Sequence, residues 1–374
     1  MKKRLSSIDL IRGVVMVLMA IDHVRVYSGI PAGGSDPGVF FTRWITHFCV
    51  PAFVFFAGTG AFLQGSNTGD KHALARFLLL RGLLLIFLEL TLIRFCWTFN
   101  FDYGQFTLAG VIWMLGWCMV VLAALVRLPV VVIGIIGLAL IFFQQFVGWV
   151  ELLLPAAVRP IWEFIYPGGA KPWEGLSILY TIVPWIGVMA AGYAFGVVMQ
   201  LDPAKRRRIC LWVGLPAIVL FIGIGGGFML SHPTPPGGMS PLLRLLNQTK
   251  YPASQLYLMM TLGPIIALLP WAEQAHGWLA NIFLVFGRVP LFYYLLHIPL
   301  IHCSALFVNF LRQGVSHQEW YATAPFNWIP EPERWTLGIL YVVWFADVAV
   351  LYFVCRWYAS YKAAHPEIKG LKYL

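Results

Sequence analysis

Charge is what this sequence has least of. Only 11 % of its 374 residues are Asp, Glu, Lys or Arg, against about a quarter in soluble domains. The chain therefore lacks the polar surface to cover itself in water, which excludes a soluble enzyme, a nucleic-acid binder and a disordered scaffold. Cysteine is scarce too. Cys49, Cys96, Cys118, Cys210, Cys303 and Cys355 lie scattered in apolar stretches, with no C-x-x-C pair and no Cys/His ligand spacing. Neither a disulfide framework nor a metal site is expected. Internal repeats, low-complexity segments and linkers are absent as well, leaving one domain over residues 1–374. What is plentiful is apolar: 60 % of the chain, with a mean hydropathy of +0.76.

Spanning-length apolar runs fall at about 8–29, 40–63, 73–96, 106–126, 129–150, 175–199, 209–230, 253–271, 288–311 and 336–359. The expected fold is an all-α, polytopic integral membrane bundle of about ten transmembrane helices. The start, Met1 to Arg4, resembles a signal peptide but lacks a small-residue cleavage site, so it reads as the lead-in to a retained first span. The stretch 274–287 is too short to cross and reads as an interfacial or half-helix.

An even number of spans puts both termini on one side, and basic residues choose which. With the N-terminus cytoplasmic, that side holds Lys2, Lys3, Arg4, Arg12, Lys71, Arg76, Arg81, Arg127, Lys205 to Arg208, Arg288, Arg356, Lys362, Lys369 and Lys372. That is 17 of the 26 Lys and Arg, with the DPAKRRR run at 202–208 dominating. The net charge of +10 is thereby a topology signal, and no nucleic-acid partner is expected. The longer loops, about 151–174 with Trp173 and 231–252 with His232, face outward on this reading.

An ionisable side chain inside a span costs about 2.5–3.5 kcal/mol on insertion scales, so each needs a reason. Asp22, His23, His47, Glu89, His297, His302 and Asp347 lie in or near the runs. Helical rise puts His23, His47, Glu89 and His302 at one depth in the outer half, with His297 and Asp347 nearer the middle. A polar chamber open to the outside follows. The plainer alternatives are a histidine bonded to a neighbouring helix, a Glu89–Arg94 structural pair and a snorkelling Arg12. Arg12 and His23, eleven residues apart, fall about 20° from alignment on one helical face and about 16 Å apart along it. Asp22 points elsewhere and pairs more naturally with Arg25, at i+3.

Arg12 and His23 reproduce the R-x10-H arrangement of the acyltransferase-3 membrane family. The surrounding text is closer to the heparan-α-glucosaminide N-acetyltransferase catalytic-domain family: RLSSIDLIRGVVMVLMAIDH resembles its first span, Val50 to Gly58 its second, and Pro184 to Met189 with Gly192-Tyr193 its sixth. KYPASQLYLMMTLGP (250–264), GRVPLFYYLLHIPLIH (287–302) and the terminal LKYL resemble a bacterial branch. The resemblance implies transfer of an acetyl group from cytosolic acetyl-CoA to a sugar, glycan or other small acceptor across the membrane, in a bacterial inner membrane. It places the catalytic role on His23 by the R-x10-H pattern.

The resulting expectation is a membrane acyltransferase. Acetyl-CoA is its donor, with the donor phosphates on Arg12 and on Arg288, Arg206 or Lys71. His23 serves as base or acyl carrier, and Asp22, His47, Glu89, His297 and His302 stand on the acceptor side. Trp97, Tyr103, Trp173 and Tyr180 are candidates to stack on a sugar. The rival reading is a proton-coupled transporter or flippase without covalent chemistry, which intramembrane His, Asp and Glu with proline-interrupted spans also suit.

Overall fold

Side chains that favour coiling run through most of this chain, and glycine, proline and capping residues mark where it turns. The computed structural model of the protein describes residues 6–34, 36–167, 174–232 and 238–373; Met1 to Arg4 and Trp173, used above for orientation and as a sugar-stacking candidate, lie outside them. The helices are α1 (Ser6–Ser28), α2 (Pro37–Trp44), α3 (Cys49–Thr68), α4 (Lys71–Leu88), α5 (Arg94–Thr98), α6 (Val111–Leu125), α7 (Val130–Phe142) and α8 (Gln144–Val150). After them come α9 (Arg159–Trp162), α10 (Trp185–Phe195), α11 (Pro203–Ser231), α12 (Pro241–Leu246), α13 (Gln255–Ala272), α14 (Trp278–Arg288), α15 (Pro290–Gln313) and α16 (Leu337–Ala364). Their boundaries carry ordinary signals. The side chain of Asp70 accepts from the amides of His72 and Ala73 at the start of α4, and Asp202, Ser254 and Thr336 cap α11, α13 and α16 in the same way. Gly69 (φ 68°) and Gly314 (φ 74°) end α3 and α15 in the left-handed conformation that glycine adopts without cost.

Each of the ten apolar runs holds a helix, but they are not ten uniform rods. Among the described residues five helical stretches are long and apolar enough to cross a membrane: Pro37–Thr68, Pro203–Ser231, Gln255–Ala272, Pro290–Gln313 and Leu337–Ala364. A sixth forms if the pair α7 and α8, bent by 71°, is one span. Two expected spans begin as extended chain instead. Thr107–Ala109 (β1) and Leu176–Ile178 (β2) form a short parallel ladder, Thr107 opposite Leu176, and helix starts only at Val111 and at Trp185. Gly110 and Pro184 stand at those two starts. A third run, 73–96, keeps coiling but passes through a π-turn at Glu89–Ile93 before α5.

Packing is close wherever glycine permits it. A Cβ on Gly13 would sit 1.8 Å from the Phe283 carbonyl oxygen, and one on Gly287 1.7 Å from that of Asp9, so α1 and α14 touch backbone to backbone. Gly58 of α3 and Gly192 of α10 do the same against Met189 and Phe55, and Gly82 and Gly116 join α4 to α6. Small residues at helix crossings are the usual solution where lipid supplies no hydrophobic drive between helices. α1 runs through the middle, against α3, α13, α14, α15 and α16. α11 and α16 lie outermost, each with only 22 % of its apolar window buried. The start of α1, the end of α16 and Tyr373 share one face of the bundle. Gly287 meets Asp9 near the start of α1, Phe292 stacks on Tyr358 near the end of α16 at 3.9 Å, and Tyr373 stacks on Phe77 of α4 at 5.2 Å.

Candidate functional site

One face of α1 is a continuous stripe bordering two cavities. The larger, about 770 Å³, borders the first turns of α1. From α1 it is lined by Ile8, Asp9, Arg12 and Met16, and from other elements by Arg81 of α4 and by Gln64, Asn67, Thr68 and Gln200. The smaller, about 330 Å³, lies toward the other end and takes Met19, Asp22, His23 and Val26 from the same helix. Steps of three and four residues keep 8, 12, 16, 19, 23 and 26 on one side of a helix, so one stripe serves both chambers. Val111, the first residue of α6, and Tyr294 of α15 line both cavities and form the wall between them.

His23 is held by a second histidine. Its Nδ1 lies 2.7 Å from Nε2 of His297, and the rings stack at 4.8 Å. His297 Nδ1 lies 2.7 Å from the Tyr294 carbonyl oxygen and 3.2 Å from that of Tyr293. A carbonyl only accepts, so His297 Nδ1 carries the proton and, in the neutral ring, its Nε2 accepts. His23 Nδ1–H then donates, which leaves a lone pair on His23 Nε2, for which no hydrogen-bond partner exists among the described residues. Trp97 closes the other side, edge-on to His23 at 5.1 Å. The arrangement yields an oriented imidazole with its basic nitrogen available.

Glu89 shares the smaller cavity, and its role is visible in its bonds. Its Oε2 accepts from the amides of Ile112 (3.0 Å) and Trp113 (3.2 Å), capping α6 from the π-turn that follows α4. A carboxylate there satisfies orphan amides and the positive end of the helix dipole together. The expected pairing of Glu89 with Arg94 is not made. Arg94 instead donates to the carbonyls of Phe106, Asn100 and Asp102, while Glu89 is committed to the first amides of α6. Asp22 pairs with Arg25 at 2.8 Å, as its spacing suggests.

The remaining expected site residues divide by position. Arg12 lines the larger cavity and donates through Nη2 to the Phe56 carbonyl. Arg206 is buried between the Met199 and Leu201 carbonyls and Glu273, 2.8 Å away, and serves as a tie between helices outside the cavity wall. Lys71 donates to the Arg127 and Leu128 carbonyls at the surface, and Arg288 is exposed at the end of α14. The second cavity-facing cation is Arg81, which in the sequence counts only among the basic residues that set topology; its place ten residues into an apolar helix is the signal that marks it. His47 is buried against Tyr257 with neither ring nitrogen bonded, and lines neither cavity. His302 lies among Phe99, Tyr27 and Tyr321, bonded to the Cys96 carbonyl and Gln318, also outside both. Of the aromatic candidates, Trp97 and Tyr180 line the smaller cavity, whereas Tyr103 packs on Arg94. Among the described residues no three His, Cys, Asp or Glu side chains converge as metal ligands.

No curated protein matches the chain in sequence. A family model does: "Heparan-alpha-glucosaminide N-acetyltransferase, catalytic" matches residues 4–227, which include the whole α1 stripe, Arg81, Glu89 and the α6 start. With well over half of its length matched, this chain belongs to the heparan-α-glucosaminide N-acetyltransferase catalytic-domain family.

Proposed function

We propose that the protein is a membrane-embedded acetyltransferase that takes its acyl group from acetyl-CoA in the larger cavity and delivers it to an acceptor in the smaller one. The observation that carries this reading is the pair of cavities on one α1 stripe, with Val111 and Tyr294 lining both. A volume of about 770 Å³ is within the range of pockets that enclose cofactor-sized ligands. Arg12 and Arg81 bring two guanidiniums to the cavity's lining, where Asp9 is the one carboxylate among the described residues, a composition suited to phosphates. The chamber borders the first turns of α1, at the end that the basic-residue bias assigns to the cytoplasm, where acetyl-CoA is made. The acceptor side is then the outer face, and a bacterial cytoplasmic membrane is the setting that fits.

The chemistry assigned to His23 is general-base catalysis. Its Nε2 removes the proton from an acceptor amine or hydroxyl as that atom attacks the thioester carbonyl. The carbon–sulfur bond breaks, and the proton on His23 passes to the departing CoA thiolate, leaving the imidazole as it began. His297 holds the productive tautomer and orientation by accepting from Nδ1–H. A sugar is the acceptor class indicated by the family's name and by the Trp97 and Tyr180 rings in the smaller cavity.

The test is acetyl-CoA turnover by purified protein with a panel of amino sugars and glycans. Acetylated product and free CoA in equal amounts are expected. Uptake of a solute with no CoA release would return the protein to the transporter reading. Incubation with labelled acetyl-CoA alone separates the two roles of the histidine, since label trapped on His23 would replace the base by an acyl carrier.

A further inference from the structure

The smaller cavity contains a cation that nothing in the proposed reaction uses. Lys250 is 8 % exposed and lines the same chamber as His23. Its ammonium makes no hydrogen bond and no ion pair with any described residue. The other charges there are already committed. Arg25 is bonded to Asp22 and to the Ile30 carbonyl, Arg43 donates to the Ala32 carbonyl, and Glu89 caps α6. Asp22 attracts Lys250 across the cavity without contact, its bonded oxygen being taken by Arg25. The side chain is largely buried while its ammonium stays accessible from the cavity, so the charge faces the chamber rather than a hydrogen-bond acceptor of the protein.

The surroundings hold the ammonium in place. Its Nζ stands 5.3 Å from the ring centre of Tyr251 and 5.8 Å from that of Tyr180, whose hydroxyls are 3.2 Å apart. Such faces attract a cation while leaving its N–H groups free to donate elsewhere. The loop that presents it is tied down: Lys250 bridges Ala253, Ser254 N donates to the Thr249 carbonyl, and Gln144 donates to the Ala253 carbonyl at 3.0 Å. This is a fixed donor aimed into a chamber, flanked by two rings and two hydroxyls.

We propose that Lys250, with Tyr180 and Tyr251, is an oxyanion subsite for the acceptor, so that the acceptor bears a carboxylate, sulfate or phosphate beside the group to be acetylated. The proposal rests on the smaller cavity being the acceptor chamber. The ion pair that Lys250 lacks would be completed by the substrate, and a neutral acceptor would leave it unmade. Lys250 and Tyr251 lie beyond the residues matched by the family, whereas Tyr180 lies within them.

The experiment measures binding and turnover by the full chain in lipid nanodiscs. The probes are glucosamine, glucosamine 6-sulfate, glucosamine 6-phosphate, a glucuronyl-glucosamine disaccharide, and vesicles with or without phosphatidic acid. At least one anionic probe should bind roughly 10-fold or more tighter than glucosamine, as a charge-assisted hydrogen bond implies. Lys250→Gln should collapse that ratio toward one and Lys250→Arg should keep most of it, with melting temperature and acetyl-CoA affinity reporting that both variants fold. The soluble sugars and the vesicles distinguish a glycan anion from a lipid phosphate. Equal binding of all probes by the native protein overturns the subsite, and so does an unchanged ratio in Lys250→Gln. Because binding is read without turnover, absence of acetyl transfer would count against the enzyme reading alone, and the binding ratio would still decide the role of Lys250.

Discussion

At the scale of single residues, His23 and His297 act as a unit. Replacing His23 by Ala removes the base and is expected to lower acetyl transfer at least about 10²-fold. Replacing His297 by Ala leaves the imidazole of His23 present but free to choose its tautomer, so a smaller loss, about 10-fold or more in kcat with little change in donor affinity, is expected. The double variant should lose no more than His23→Ala alone, because both act on one step. Additive losses would separate the two residues and return His297 to a packing role. Arg12 and Arg81 are tested through the donor. Arg12→Gln and Arg81→Gln should each weaken acetyl-CoA binding, and Arg12→Lys should restore little, because an ammonium cannot reproduce a forked phosphate contact. Donor affinities unchanged in both Gln variants, measured by calorimetry, would leave Arg12 as a snorkelling charge.

At the scale of elements, the start of α6 is where the two cavities meet, and Glu89 and Gly110 hold it. A Cβ on Gly110 would lie 2.5 Å from Glu89 Oε1, so Gly110→Ala must push away the carboxylate that caps the helix. Glu89→Ala leaves two buried amides unpaired, a cost of about 1–3 kcal/mol for each. Glu89→Gln, whose amide oxygen still accepts, should be much milder in thermal unfolding. Were Glu89→Gln as damaging to activity as Glu89→Ala while the melting temperature stayed native, the carboxylate would have a chemical role beyond its cap. The crossing of α1 with α14 is equally specific. Gly287→Ala places a methyl 1.7 Å from the Asp9 carbonyl oxygen, and because backbone cannot step aside as a flexible side chain does, the helices must part. A fall in melting temperature together with weaker acetyl-CoA binding is expected, since the displaced end of α1 carries Asp9 and Arg12 into the larger cavity.

At the scale of the whole molecule, sidedness decides whether two cavities on one stripe amount to transfer across a membrane. Lys205, at the start of α11, and Glu331, between α15 and α16, lie at opposite ends and are both exposed. In a background with the exposed Cys303 replaced, Lys205→Cys should react with an impermeant thiol reagent only after the cells are opened, and Glu331→Cys in intact cells. The reverse pattern would invert the donor path and the proposed reaction with it. The helices that fall short of simple apolarity belong to this scale too. α1 carries Asp9, Arg12, Asp22 and Arg25, and α4 with its continuation carries Arg76, Arg81, Glu89 and Arg94. Six of these charges line the cavities, Asp9, Arg12 and Arg81 the larger and Asp22, Arg25 and Glu89 the smaller, which keeps them from lipid even where α4 itself presents Leu79, Leu80, Leu83 and Phe87 outward.

The amino-acid sequence alone determined that this chain is helical, apolar and built around a first helix bearing Arg12 and His23 on one face, because burial demands and a 3.6-residue period are local properties. The Asp22–Arg25 pair followed from the same arithmetic. The tertiary structure decided what depends on long-range contact. Depth along a helix placed His47 and His302 level with His23, but depth says nothing of which way a ring faces, and both turn into packing elsewhere. His297, separated from His23 by 274 positions, became its partner because α15 packs against α1. Likewise a basic residue reads the same in sequence whether it sets topology or faces a ligand. Only the packed bundle tied Arg206 to Glu273, left Lys71 on the surface, turned Arg81 inward beside Arg12, and set Lys250 in the chamber of His23 with no hydrogen-bond or ion-pair partner among the described residues.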